Sequence, residues 1–288
     1  MAPASTFDPV RYKADTRAEW RDAADGWRTW AGVLEAADAG LAVSRRLVEL
    51  ARVGPGAAVL DVAAGYGEPG LTAARAAGPA GRVVCADLSG PMLALARERA
   101  AAAGLGNLDF VEADAEALDL PEASFDAVLS RQGLQFLTDV PATLARLRSF
   151  LVPGGRLAAA VWGPPARVPF VAPVPVIRAE LDLAPPPAGT PGPFALGDRA
   201  RLRGQLEAAG FREVATGTAT ATYRFASPEQ ATRWLRDVAP PITALVAGQP
   251  PDVAERVWAR ATAAWAPFTD ADGRVRLDNQ VLWVTGAR

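Results

Sequence analysis

The spacing of apolar residues along the chain changes period several times, and the changes mark its elements. Residues 8–53 follow helical spacing. Over 17–30 that spacing sets Trp20, Trp27 and Trp30 seven and three residues apart, on roughly one helix face. A second helix is predicted over 32–51, closed by Gly54-Pro55-Gly56. The pattern then shortens to apolar runs of strand length. Residues 57–63 read as a buried strand, followed by a helix that begins near Pro69, runs through Ala77 and stops at Gly78-Pro79. The alternation repeats with strand 82–86, a helix from Ser89 or Gly90 to about Ala103, and strands 108–111 and 125–129. Helix 142–151, a turn at Pro153-Gly154-Gly155 and strand 156–162 follow. Strands alternating with helices predict parallel β-α-β units, and the near-continuous apolar runs suit strands covered on both faces.

Beyond Trp162 the pattern loosens. Residues 163–197 are rich in proline, including Pro185-Pro186-Pro187, and predict an irregular cap. An amphipathic helix over 198–209 ends at Gly210, and a Thr-rich strand spans 214–225. Helices follow at 228–237 and 253–265, and 277–286 predicts a last strand. The expected organisation is an N-terminal helical lid over 1–53, a ligand-binding core over 54–162 and a cap over 163–197. Residues 198–288 would complete the core, with a helical insertion at about 226–270.

Composition narrows the chemistry. The chain has 288 residues, half of them apolar and 22% charged, enough for one large domain or two small ones. It contains no histidine, which removes Ser-His-Asp and Cys-His catalysis, His-ligated metals and imidazole as a base. Cys85 is the only cysteine, so neither an intrachain disulfide nor a multi-cysteine zinc site is expected, and no metal is assigned. Within its strand, Cys85 reads as a small buried apolar residue. The formal charge is −2, and Lys13 is the only lysine, so the basic stripe of a nucleic-acid binder is missing. The first residues lack a basic start followed by an apolar run, and no stretch approaches ~20 apolar residues. The expectation is a cytoplasmic protein without a membrane span.

The most informative stretch joins the first predicted strand to its helix: Val59-Leu-Asp-Val-Ala-Ala-Gly-Tyr-Gly-Glu-Pro-Gly70. Gly65 and Gly67 permit positive φ and a close approach of ligand to backbone, and the helix beyond offers free N–H groups. Asp61, at the strand's end, is placed to accept from an ammonium group. Alone, such a turn could serve NAD, FAD or S-adenosylmethionine, or simply pack against the sheet. A second signal follows: Asp87 ends the next strand, twenty residues beyond Gly67, where a carboxylate can take both hydroxyls of a ribose. Its alternative role is to cap the helix starting near Ser89. Asp114, after the third strand, is either an acceptor for an adenine amino group or a solvated loop acid.

In order along the chain stand Asp61-x-Ala63-x-Gly65-x-Gly67, Asp87, Asp114-Ala115, Phe125-Asp126-Ala127-Val128 and Leu151-x-Pro153-Gly154-Gly155. Over about residues 55–165 this set resembles the class I S-adenosylmethionine-dependent methyltransferases. Among them it is most similar to the small-molecule group around the ubiquinone/menaquinone biosynthesis C-methyltransferases. The resemblance implies an α/β fold built on a Rossmann-like sheet of seven strands, the last antiparallel, with helical N-terminal and inserted lid segments. It implies S-adenosyl-L-methionine as cofactor and S-adenosyl-L-homocysteine as product. It further implies that Asp61 and the backbone at Ala63, Gly65, Tyr66 and Gly67 hold the methionine part. Asp87 would take the ribose, with Leu88 and Met92 beside the adenine; Asp114 and the Ala115 amide would read the adenine; Ser130 or Arg131 would lie near the sulfonium.

Two departures from the family pattern matter. Ala63 stands where the first motif glycine is usual, adding a methyl group near the cofactor carboxylate. Gln135 stands where related enzymes often carry histidine, and a glutamine orients a substrate but takes no proton. Methyl transfer mainly requires alignment of nucleophile, methyl and sulfur with water excluded. Arg131, Gln135, Tyr66 and Glu68 are the candidate catalytic residues, with Glu68 alternatively stabilising its helix N-terminus. Trp20, Trp27, Gln132, Phe136, Trp162 and Phe170 are the candidate substrate pocket, each tryptophan alternatively helix-packing core. The function expected is methyl transfer to carbon or oxygen of a small hydrophobic metabolite such as a quinone, polyketide or terpenoid. The alternatives are an enzyme of another reaction type using the same cofactor, or a binding protein without chemistry.

Overall fold

A computed structural model describes residues 7–36, 39–185, 187 and 189–288. The first six residues, read above for a targeting segment, lie outside these, as do residues 37 and 38 within the predicted 32–51 helix and Pro186 of the proline run.

Strands β1 (Ala58–Val62), β2 (Arg82–Asp87), β3 (Leu108–Glu112), β4 (Phe125–Arg131), β5 (Leu151–Trp162), β6 (Arg212–Phe225) and β7 (Val275–Ala287) form one sheet. Its order is β3-β2-β1-β4-β5-β7-β6. The first five strands pair in parallel, and β7 runs antiparallel to both β5 and β6. The alternation of side chains along each strand sorts them into two buried layers. Val59, Val83, Cys85, Leu129 and Ala158 pack on one side with α3 (Ala39–Leu50) and α4 (Gly70–Ala77). Leu60, Val62, Val84, Val128 and Leu157 pack on the other with α6 (Val140–Phe150) and α8 (Arg199–Ala208). Burial on both faces is what the uninterrupted apolar runs of β1, β2 and β5 require.

Local chemistry ends the elements where the sequence suggests. Ser89 caps α5 (Gly90–Ala102), accepting from the Met92 amide, and Asp139 caps α6 in the same way. Cys85 is buried without a disulfide, as expected of a small apolar residue. No described helix is long and apolar enough to cross a membrane.

Four details differ from the sequence pattern. The predicted 17–30 helix is broken at Ala23 into α1 (Pro9–Asp22) and α2 (Ala24–Ala36), so Trp20 does not share a helix with Trp27 and Trp30. The break buries Ala23 and Ala24. On α2, Gly26 meets the Asp237 carbonyl of α9 (Pro228–Val238) so closely that a Cβ would stand 2.0 Å from it. The segment 163–197 is not wholly irregular: Pro173–Glu180 forms α7, with prolines in its first turn where no N–H partner is needed. The turn at Pro153-Gly154-Gly155 is a bulge inside β5, where pairing jumps from Phe125–Leu151 to Ala127–Arg156. Pro240–Val246 forms α10, a helix too short for its spacing to stand out, before α11 (Pro251–Ala263).

Candidate functional site

The C-terminal ends of β1, β2 and β4 open into a cavity of about 940 Å³. Its walls also come from α1, α2, α7, α9, α10 and β6, so segments from both ends of the chain close over the sheet edge. Open α/β sheets bind ligands at this edge, beside the point where strand order reverses.

The turn after β1 is wound tightly. Ala63, Gly65 and Gly67 all take positive φ, at 56°, 53° and 103°. The departure at Ala63 therefore places a side chain in the left-handed region, at a cost of roughly 1–2 kcal/mol relative to glycine. Its methyl group packs where a Cβ on Gly133 would come within 2.5 Å. Glycines 65, 67 and 70 stand at G-x-G-x-x-G spacing, a further legible signal of a ligand-cradling turn. The third is needed for packing: a Cβ on Gly70 would fall 2.5 Å from Cys85 Sγ and 2.9 Å from Asp61 Oδ2.

Asp61 is fully buried. Its Oδ2 accepts from the Gly70 amide at 2.7 Å, while Oδ1 has no partner among the described residues. Burial pushes its pKa well above the ordinary aspartate value, against the Gly70 bond and the Arg131 charge, which pull it down. This carboxylate occupies the first free N–H of α4, the position a dinucleotide-binding turn offers to pyrophosphate. A phosphate would meet like charge there, whereas an ammonium group would satisfy the orphaned oxygen.

Asp87 ties the turn to β2. Its Oδ2 accepts from the Gly65 amide at 2.8 Å and its Oδ1 from the Ser89 amide at 2.9 Å. Capping and ligand binding are thus compatible: Asp87 closes the turn ahead of α5, Ser89 is the cap itself, and Asp87 still faces the cavity. Burial raises its pKa against the opposing backbone N–H bonds of Ser89, Gly65 and Leu88. Leu88, Met92, Asp114 and Ala115 line the same end. Asp114 is no isolated loop acid: Lys13 Nζ reaches its Oδ2 at 2.8 Å and Glu116 Oε2 at 2.7 Å, pinning α1 across this end.

At the other end stand the polar candidates. Arg131 Nη2 donates to the Tyr66 hydroxyl at 2.6 Å, with its guanidinium 5.2 Å from the same ring's centre. Trp27 stacks on Tyr66 at 5.0 Å, and Arg99 lies over that ring and donates to the Tyr66 carbonyl. Glu68 lines the cavity, but its carboxylate is held in the first turn of α4 by the Thr72 hydroxyl at 2.6 Å, with Arg75 at 3.8 Å. Gln132 faces the cavity with φ at 62°, another strained residue at a strand end. Gln135 is buried behind it and donates to Gln132 Oε1 at 3.0 Å, so it bears on the cavity through Gln132. Asp61, Gly67 and Ser130 likewise sit behind the lining, Ser130 with an unpartnered hydroxyl.

The predicted pocket aromatics Trp20, Trp27, Phe136, Trp162 and Phe170 all line the cavity. Trp20 meets Phe136 edge-on at 5.8 Å and Trp162 meets Phe170 at 4.9 Å. Trp30 instead belongs to the core, where its Nε1 donates to Asp237. Tyr223 and Trp234 escape sequence reasoning, because β6 and α9 reach the cavity only through tertiary folding. Among the described residues no cluster of side chains suits a metal ion.

Comparison with known proteins agrees with this architecture. Residues 59–155 match the family model described as a methyltransferase domain. A ubiquinone/menaquinone biosynthesis C-methyltransferase from Hahella chejuensis is 41% identical over 114 residues, 39% of this chain and 46% of the relative. The match thus spans less than half of that relative's length. Among solved structures, the [4+2]-cyclase SpnF is similar with a TM-score of 0.51 and 21% identity, over 85% of this chain and 79% of that one. The phosphoethanolamine N-methyltransferase 2 of Haemonchus contortus, solved with S-adenosyl-L-methionine, gives 0.52 and 16%, over 85% and 52%. Both show the fold, which by itself carries more than one reaction. Residues 59–155 are therefore similar to methyltransferase domains, and they are set in a seven-stranded sheet of the fold those structures share.

Proposed function

We propose that the protein is an S-adenosylmethionine-dependent methyltransferase acting on carbon or oxygen of a small, largely apolar metabolite of quinone, polyketide or terpenoid type. The observation that carries this reading is the buried Asp61, whose orphaned Oδ1 asks for a cation at the head of the glycine-rich turn. From behind the lining its carboxylate would favour an amino acid ammonium group at the turn and disfavour a phosphate. Asp87 would accept the ribose hydroxyls on lone pairs its two backbone partners leave. Leu88 and Met92 would flank the adenine, with Asp114 and the Ala115 amide at its edge.

When bound, S-adenosylmethionine supplies an activated methyl group; the acceptor's electron pair forms the new bond as the carbon–sulfur bond breaks with its pair to sulfur. The chain's own work is then alignment and exclusion of water. Trp20, Trp27, Phe136, Trp162 and Phe170 provide apolar walls, and Gln132, buttressed by Gln135, provides a polar contact. Arg131 and Tyr66 stand as the polar pair that orients the acceptor. Within the segments 1–53, 163–197 and 226–270, helices α1, α2, α7, α9 and α10 line the cavity and would act as the lid.

Incubation with S-adenosylmethionine and a panel of naphthols, quinols and polyketide phenols tests the reading. S-adenosylhomocysteine should accumulate in step with a methylated acceptor. Conversion of acceptors into unmethylated products, with no S-adenosylhomocysteine formed, would instead establish a different reaction on this fold.

A further inference from the structure

Helix α1 closes one end of the cavity with little apolar grip. Its Tyr12, Lys13, Thr16 and Trp20 line the cavity, yet among its residues Thr16 alone is buried. Charge holds its first half. Lys13 Nζ bridges two carboxylates, Asp114 Oδ2 at 2.8 Å and Glu116 Oε2 at 2.7 Å. Both acids follow β3, and each is fixed on its other side: Asp114 Oδ1 accepts from the Glu116 amide at 2.9 Å, and Glu116 accepts from the Thr138 hydroxyl at 2.7 Å. A second rung, Arg17 to Glu112 at 3.3 Å, is about half exposed on both sides and holds less.

The second half of α1 is seated differently. Trp20 meets Phe136 edge-on at 5.8 Å and lies 6.5 Å from Trp27. The helix then ends at Ala23, where the backbone breaks before α2. Aromatic contacts beside a break at one end, and an ion-paired cross-link at the other, make a hinged element. Loss of the Lys13 pairs frees the end at Asp114 while Trp20 stays seated.

We propose that α1 is a latch across the nucleoside end of the site, and that the Lys13 pairs set how fast the cofactor and its product exchange rather than how tightly they are held. The inference rests on the S-adenosylmethionine reading, in which Asp87, Leu88, Met92 and Asp114 take the nucleoside. Lys13 stands outside residues 59–155, which match the family model. Asp114 keeps lone pairs for a ligand while it is bonded to Lys13 and to the Glu116 amide, so the latch closes over an empty or a filled site alike. A latch closed in both states must open for entry and for exit. Weakening it raises both rates by one factor and leaves their ratio unchanged. A direct contact from Lys13 to the nucleoside would act mainly on release instead. Because lid opening often limits turnover, Lys13 is placed to pace product release.

The test is stopped-flow tryptophan fluorescence of S-adenosylhomocysteine binding to the full chain, with Trp20 and Trp27 as reporters in the cavity wall and the equilibrium affinity taken from calorimetry. Lys13→Met should speed association and dissociation alike by about fivefold, the scale of two partly exposed ion pairs, with the dissociation constant changed by less than about twofold. Lys13→Arg keeps the charge and should restore slow exchange. Wild type should itself exchange faster in both directions at high salt, because screening weakens the pairs and S-adenosylhomocysteine carries no net charge to be steered; this check needs no variant. Unchanged rates in Lys13→Met, or a change in one rate alone with a matching shift in affinity, overturns the latch and leaves the cofactor site standing. No saturable binding of S-adenosylhomocysteine to folded wild-type protein overturns both.

Discussion

Asp61 shows how one residue trades stability for a site. Its carboxylate is buried with one oxygen satisfied and one not, an arrangement that costs the ligand-free protein on the order of 1–3 kcal/mol. Its folded pKa stands above the unfolded value because burial penalises the charge. In that window the folded state holds the extra proton, so stability declines as pH rises from the ordinary aspartate range through the folded value. Asp61→Asn removes this titration. Thermal unfolding followed from pH 4 to pH 8 should show the variant losing less stability than wild type as pH rises, while its affinity for S-adenosylmethionine falls by about tenfold or more. Parallel pH profiles for the two proteins would mean that Asp61 carries no such strain. The residue was readable in the sequence because the Asp61-to-Gly70 stretch is local: strand end, turn and helix start are fixed by neighbours. Its orphaned oxygen was not, since it depends on what β4 and α4 leave uncovered. Tyr223 was illegible for a similar reason: only the return of β6 alongside β7 brings it to the cavity wall, against Trp162 and Trp234.

At the scale of elements, α1 is held to the sheet by its lysine. Lys13 spans Asp114 and Glu116, and Glu116 also accepts from the Thr138 hydroxyl at 2.7 Å. Burial works against the Glu116 charge, but Lys13 and Thr138 more than offset this and lower its pKa. The clasp is therefore complete above the ordinary glutamate range and is lost as pH falls through the lowered value. The pairs are partly exposed, so together they contribute about 1 kcal/mol and weaken with salt. Lys13→Ala should speed amide hydrogen exchange across Pro9–Asp22 by about fivefold, leaving the protection of β1 and β4 unchanged. Unaltered exchange in α1 would show that apolar packing alone seats it. The helical character of the N-terminal segment was evident from its spacing, but its break was not. Spacing carries a face across Ala23, and only the approach of Gly26 to the backbone of α9 shows why α2 is placed where it is. The parallel strands were plain for the opposite reason, since burial on both faces writes itself as apolar runs.

The whole molecule encloses its cavity with pieces taken from the start, middle and end of the chain. Trp20 and Trp27 come from the N-terminal helices, Phe170 from the cap, Tyr223 and Trp234 from the C-terminal third. The match to the Hahella chejuensis relative covers 39% of the chain, and residues 59–155, which match the family model, supply the glycine-rich turn and the acidic residues along the strand ends. The acceptor side is built largely from the segments outside these residues, which is why the cofactor was legible and the substrate was not. The account stands on the claim that the turn between β1 and α4 binds S-adenosylmethionine through Asp61 and Asp87. Calorimetric titration with S-adenosylhomocysteine, comparing wild type with Asp87→Ala, tests it most directly. One saturable site, weakened about tenfold or more by the substitution as a lost charged hydrogen bond would do, is the predicted result. No saturable binding to folded wild-type protein, or equal affinity in the variant, would contradict it.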